Sequence, residues 1–588
     1  MAEPPVGELR FKEAVRPKPW SAVVDAFYYK SACMQMPNQP DHIRNNSLPI
    51  SEDCLYINVF TSRTCLERKN CPVLVFVHGG LRWYLSPEKT PEEVIVNNFS
   101  NEERNIVYVA IPFRLGIFAW LNLSPHVKAS TDSNVDVVTA LKWIQDEIHS
   151  FGGDPKKVTL AGHSSGAQLV SELMISPVSE ILFNQTILWS VPFWGERNAA
   201  INSLFSQKVA KLIGCANEDD TFVDKQRILD IETCLRNKSA EELFQTQEAM
   251  RKEVEQLNGV WIDGPEGVLP DSFQNLLKRK LPQKNCLIGT VSAESKVTRN
   301  LINDDGTVNQ TMVSKLCTHL AYEYNYEHKD QYASVCSKFY GTVENVPNLH
   351  DDHMYYYPIA KFADKFSETG NVFMYSFEYP VKGEKFIWNT SVVTPKHAED
   401  LTFVLWGDYD SFTEKEFQME RIYSELVANF VINGNPSSEG ARWSKWSRKD
   451  RNYFVIDFDA GLKMTGMKND YYLEVNKYFE ETIPKTGGDY HPLYLLPPKH
   501  DCFFQRPLLD GIISIWLNRS YIHEKNAPTA KNIGQIWLDH LDFLVGKEGK
   551  RNFEWSASAA VTLFCIIILI ISLLCLKLRN PKGYAPLI

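Results

Sequence analysis

The chain has no long run of charge of either sign. Its 62 lysines and arginines are interspersed with 72 acids, for a formal net charge of −10. A nucleic-acid surface needs basic residues clustered on one face, and nothing here suggests one. Cys-x-x-Cys and His-x-x-x-His, spacings that hold zinc, are both absent. No metal and no other cofactor is therefore expected. The first 480 residues contain no Pro/Gly/Ser-rich linker, no internal repeat and no low-complexity tract. Length alone would suggest several domains. Without linkers, one large α/β domain with insertions is the better expectation. The opening Met1-Ala2-Glu3-Pro4-Pro5-Val6-Gly7 has neither a basic start nor an apolar core, so it does not read as a secretory leader.

The informative residues lie in a few short segments. Gly162-His163-Ser164-Ser165-Gly166 sets a serine between two glycines, after the strand-like Val158-Thr159-Leu160-Ala161 and before the helical run from Ala167 to Leu173. A strand-to-helix elbow is tight, so positions flanking the serine need minimal side chains. The elbow presents Ser164 Oγ near a helix N-terminus, whose dipole favours developing negative charge. His78-Gly79-Gly80 ends the apolar run Pro72–Val77. Backbone N–H groups of Gly79, Gly80 and Leu81, with that of Ser165, are the expected oxyanion hole. Leu81 stands where a third glycine is common, and its side chain narrows the site.

A serine nucleophile needs a base, and the base needs a partner to orient its ring. Glu294 follows the run Leu287–Val291, and His397 precedes the apolar segment Leu401–Trp406. Ser164, Glu294 and His397 thus come in the nucleophile–acid–base order of α/β-hydrolases. Chymotrypsin-like and subtilisin-like chains use other orders.

Further elements agree. Cys54–Thr61 alternates like a strand. Asn105–Pro112, Leu287–Val291 and Val372–Phe377 are continuous apolar runs, and Val135–Phe151 has helical spacing. Apolar runs alternating with helices imply a mostly parallel central sheet flanked by helices. Residues 200–285 and 298–370 read as a helical, lid-like layer. The hydrolase domain is expected over 1–484, followed by a proline-containing stalk over 485–553.

From Trp555 to Leu576 no residue is charged. As a helix these residues would reach about 33 Å, enough for a hydrocarbon core. A transmembrane helix over 554–577 and a tail over 578–588 are expected, making the lipid bilayer a partner. Bases flank both ends, so charge alone does not orient the span. Cys565 and Cys575 lie within it, leaving ten other cysteines. Cys33/Cys54 and Cys215/Cys234 enclose loop-like stretches, Cys65/Cys71 and Cys317/Cys336 could close shorter ones, and Cys286 and Cys502 have no evident partner. Asn-x-Ser/Thr sites stand at Asn45, Asn98, Asn122, Asn184, Asn237, Asn309, Asn389 and Asn518. About four would arise at average usage. Cysteines and sequons both favour a luminal or extracellular main domain, single-pass and glycosylated. The unremarkable first residues instead fit a tail-anchored cytosolic protein.

Over residues 4–480 the chain resembles the type-B carboxylesterase/cholinesterase family. Ser51-Glu52-Asp53-Cys54-Leu55-Tyr56-Ile57-Asn58-Val59-Phe60 and Phe151-Gly152-Gly153-Asp154-Pro155, leading to Gly162–Gly166, carry the resemblance. It implies an α/β-hydrolase fold, a Glu294 acid, a His397 base, and disulfides Cys33–Cys54 and Cys215–Cys234. Pro4–Phe11 resembles a segment that lies downstream of a leader and the first strands, which implies a start inside the domain. Three departures stand out. The Cys33–Cys54 loop lacks the choline-stacking tryptophan, so choline specificity is not expected. His163 replaces a usual glutamate, and Ser190-Val191 a usual Ser-Gly. The expected function is a membrane-anchored serine carboxylic ester hydrolase acting on a small-molecule ester or acyl substrate. The alternatives are acyl transfer to an alcohol, sugar or amine, and a neuroligin-like adhesion role, which the complete Ser-Glu-His set disfavours.

Overall fold

The computed structural model describes residues 1–488 except 36–47, 125–132, 194–195, 198, 251–259, 262–266, 296–300, 304, 325, 381–393, 408, 460–462 and 487. These residues fall in one compact unit, Met1–Leu496. The strands are β1 (Asn58–Phe60), β2 (Cys71–Val77), β3 (Val107–Ile111), β4 (Gly153–His163), β5 (Gln185–Trp189), β6 (Glu196–Arg197), β7 (Val260–Trp261), β8 (Asn285–Val291), β9 (Val372–Phe377), β10 (Tyr453–Phe458) and β11 (Met464–Lys468). A nine-stranded sheet runs β1-β3-β2-β4-β5-β8-β9-β10-β11. It is parallel from β3 to β10 and antiparallel at its two edges. β6 and β7 pair separately.

Alternation along the strands builds two cores. Val73, Val75 and Val77 of β2 share one face with Val107, Val109 and Ile111. Leu74, Phe76, Tyr108 and Ala110 point to the other. The first face is covered by α1 (Ser133–Glu147), through Val137, Val138, Leu141 and Ile144, and by α2 (Ser165–Ile175), through Leu169, Val170 and Leu173. The second is covered by α3 (Glu414–Asn433), through Met419, Tyr423, Leu426, Val427 and Phe430. A Thr413/Glu416 capping box starts α3, and left-handed Gly434 ends it.

Cys54–Thr61 forms a strand only over Asn58–Phe60. The cause is local: Tyr56 N–H bonds to Cys54 O, a three-residue turn, and Tyr56 OH donates to Asp53. Helices Ala199–Leu212, Lys225–Asn237 and Ala240–Ala249 supply buried residues to a third cluster. Helices Gln310–Glu323 and Lys329–Phe339 anchor a fourth.

Both implied disulfides form, as do Cys65–Cys71 and Cys317–Cys336. Cys286 is a buried thiol that burial pushes up to about 12. The sequons divide. Asn184 and Asn237 are exposed, and Asn309 is half-buried. Asn98 is only 2 % exposed and donates its amide to Val404 O, and Asn122 is also buried. Neither side chain is open to solvent in this fold, which disfavours a glycan at those two positions. Asn45, Asn389 and Asn518 lie outside the described residues, as do the stalk from 489 onward, the span over 554–577 and the tail. Among the described residues no helix is long and apolar enough to cross a membrane.

Candidate active site

β4 ends at His163 and α2 begins at Ser165, leaving Ser164 at the elbow with φ 55° and ψ −128°. A non-glycine residue held there stores about 1–3 kcal/mol of strain. Two hydrogen bonds hold it: Ser164 N–H to Trp189 O at 3.0 Å and Gln168 N–H to Ser164 O at 3.0 Å. The glycines follow from close approach. A Cβ on Gly162 would lie 2.5 Å from Gly166 O, and one on Gly166 would lie 2.3 Å from His78 O. A Cβ on Gly79 would lie 3.0 Å from Ser164 Cβ, so the turn after β2 packs directly on the elbow. That turn continues through Gly80 (φ 91°) and Leu81 (φ 58°). His78 stands between β2 and this turn. Burial lowers it to about 4, and its ring stacks on Phe113 at 4.4 Å.

Glu294 and His397 meet although 103 residues apart. A bridge between Ala293 and Lys396 brings the end of β8 alongside the His397 loop. His397 Nδ1 lies 2.6 Å from Glu294 Oε2, while Glu294 Oε1 accepts Val291 N–H at 3.1 Å. Burial raises the Glu294 carboxyl, and the His397 hydrogen bond opposes that. For His397, burial pulls downward. The Glu294 hydrogen bond and charge, with Asp400 and Asp351, outweigh it and raise the imidazole above its usual range. The His397 side chain is 22 % exposed and Glu294's is fully covered. The pair is therefore a solvent-reachable base backed by a buried acid.

Other neighbours were not anticipated as site residues. The His163 ring sits 4.8 Å from that of His397 and 5.4 Å from Trp406. It is buried, and neither nitrogen has a hydrogen-bond partner among the described residues. Burial, then the charge His397 can carry, hold it well below its usual range. Tyr355 packs 5.7 Å from His397. Asp400 accepts Tyr375 OH at 3.0 Å and is pushed up to about 7 by burial and by Glu294. Arg82 pairs with Glu172 at 2.8 Å. The signal for Glu172 was a lone acid in an otherwise uncharged α2. Among the described residues no group of His, Cys, Asp and Glu could hold a metal.

A strained serine at the end of a central parallel strand places this fold among the α/β-hydrolases. The chain belongs to the carboxylesterase family, which it matches over residues 1–474. It is by family a carboxylic ester hydrolase. It is 28% identical over 496 residues to the acylcarnitine hydrolase of Mus musculus, covering 78% of this chain and 82% of that one. It is 28% identical over 481 residues to the para-nitrobenzyl esterase of Bacillus subtilis (strain 168), covering 79% and 91%. A solved structure titled PNB esterase superposes with a TM-score of 0.67 at 23% identity, covering 81% of this chain and 93% of that one, which supports the fold alone.

Proposed function

We propose that this protein hydrolyses carboxylic esters through Ser164, His397 and Glu294. The observation that carries the reading is the 2.6 Å contact of His397 Nδ1 with buried Glu294, beside an elbow that holds Ser164 at φ 55°. His397 takes the Ser164 proton as Oγ attacks the ester carbonyl. Glu294 stabilises the imidazolium, and N–H groups of the Gly79–Leu81 turn and of Ser165 receive the oxyanion. His397 then protonates the leaving alcohol. Water, deprotonated by the same ring, releases the acid from the acyl-enzyme. The stretch from Cys33 to Cys54 holds neither Trp nor Tyr to face a quaternary ammonium, which supports an uncharged acyl or aryl ester as the substrate class. Acyl transfer is the second reading, because an alcohol, sugar or amine replaces water at the same intermediate. The uncharged run Trp555–Leu576 supports a membrane anchor.

Ser164→Ala tests the reading. The variant is expected to lose turnover of a neutral aryl ester and labelling by a fluorophosphonate, keeping only the residual rate that binding and the oxyanion hole sustain. Labelling at the wild-type level would overturn it. Assaying product with and without an alcohol acceptor separates hydrolysis from transfer.

A further inference from the structure

The turn after β2 and the first turn of α2, which carry the donors proposed above for the oxyanion, belong to different elements. Leu81 (φ 58°) and Arg82 (φ 61°) are consecutive non-glycine residues in the left-handed region. Such a conformation persists only where its surroundings hold it. Arg82 is what they hold. Its backbone N–H donates to Ser165 Oγ at 3.2 Å, and its carbonyl accepts Gly116 N–H at 3.0 Å. Its guanidinium Nη2 donates to Glu172 Oε1 at 2.8 Å. Glu172 lies on α2, and its second oxygen accepts Asn134 Nδ2 from α1 at 2.8 Å. The side chains of Arg82 and Glu172 are 9 % and 0 % exposed. A buried ion pair contributes little to stability on balance, because desolvation offsets the attraction. Its geometry is nonetheless sharply defined, since neither charge tolerates losing its partner.

We infer that Arg82 and Glu172 are positioning residues, a buried strut that sets the Gly79-Gly80-Leu81 turn at a fixed distance from α2 so that donors from both elements converge on one oxyanion. The inference rests on Ser164 being the nucleophile. The Ser165 side chain belongs to the strut through Oγ, while its N–H faces the reaction. Because the oxyanion develops in the transition state and the tetrahedral intermediate but not in the bound ester, displacement of the turn lowers kcat and leaves KM nearly unchanged.

Fluorophosphonate labelling of the wild type at Ser164 first checks the nucleophile independently of the strut. The Arg82→Met/Glu172→Met double variant then replaces the ion pair by apolar side chains, a change that buried pairs often tolerate without loss of stability. Its kcat on a neutral aryl ester is expected to fall about tenfold or more, as misplaced donors do. KM should stay within about twofold, and the Ki of a trifluoromethyl ketone should rise by the same factor as kcat falls. Glu172→Gln keeps a hydrogen-bond acceptor of the same shape and should recover most of the rate. Ser165→Ala keeps the backbone donor, removes only the Arg82 acceptor, and should lose kcat several-fold. A folded double variant with kcat within about twofold of wild type, or a loss carried by KM alone, overturns the inference. If the double variant fails to fold, an unchanged kcat in Ser165→Ala, which removes the acceptor of the Arg82 N–H, overturns it equally.

Discussion

At the residue scale the site is governed by which imidazole can carry a charge. As the base proposed above, His397 must be neutral to accept the Ser164 proton, so kcat/KM is expected to rise as pH passes its pKa. That pKa lies above the usual 6.5: burial works against it, but Glu294, Asp400 and Asp351 prevail. Glu294→Gln removes the strongest of these supports while burial remains. The acid limb of the kcat/KM profile should therefore move to lower pH, and kcat should fall by about 10²–10⁴, as loss of the orienting acid does. An unmoved limb would contradict the Glu294–His397 assignment. His163 gives the opposite lever. A carboxylate there would sit beside the His397 ring, which lies 4.8 Å away. His163→Glu should move the acid limb to higher pH. It should also raise the ratio of kcat/KM for a choline ester over a neutral ester of the same acyl group by about tenfold, given a single charge at this range in a shielded site. A clear choline preference in the unaltered protein would mean that another aromatic surface, such as Trp83, already holds the cation.

At the scale of elements, contact is made backbone to backbone, and this is where sequence pattern was most and least informative. The elbow was legible because Gly162 and Gly166 answer a steric demand that leaves no other residue, and β2, β3 and β9 because their faces are covered on both sides and read as unbroken apolar runs. β1 was overextended because a turn at Cys54–Tyr56 interrupts an alternating pattern without changing it. The strut was not legible, since Arg82, Asn134 and Glu172 are separated by up to 90 residues and each alone resembles an ordinary polar residue. The junction between β2 and α2 makes a direct prediction. Gly166→Ala would place a Cβ 2.3 Å from His78 O and 2.4 Å from Val77 O, both backbone atoms that cannot rotate away. Thermal or denaturant unfolding should show a loss of about 3 kcal/mol or more. Any folded fraction should have lost most of its activity, because the end of β2 leads into the turn proposed to hold the oxyanion. A near-wild-type Tm would show that the elbow is looser than its geometry.

At the scale of the whole molecule, the compartment follows from two kinds of surface chemistry that must agree. Four disulfides form among the described residues, bracketing 6 to 21 positions of sequence separation. Each cross-link that closes a loop of about 15 residues restricts the unfolded chain by about 3 kcal/mol, a gain that exists only where thiols oxidise. The sequons supply the independent half of the argument. Asn184 and Asn237 present exposed amides, whereas Asn98 and Asn122 are enclosed. If the domain carrying Ser164 is luminal or extracellular, with 578–588 on the cytosolic side, glycosidase treatment should increase its mobility on a gel. Asn184→Gln and Asn237→Gln should each remove part of that shift. Asn122→Gln, which alters a side chain buried in this fold, should leave it unchanged. A domain in the reducing cytosol would instead show no shift, titrate the eight paired cysteines as free thiols, and be cleaved by protease added outside intact organelles. Disulfides and glycans would then fail together, and that joint failure would place the domain carrying Ser164 in the cytosol.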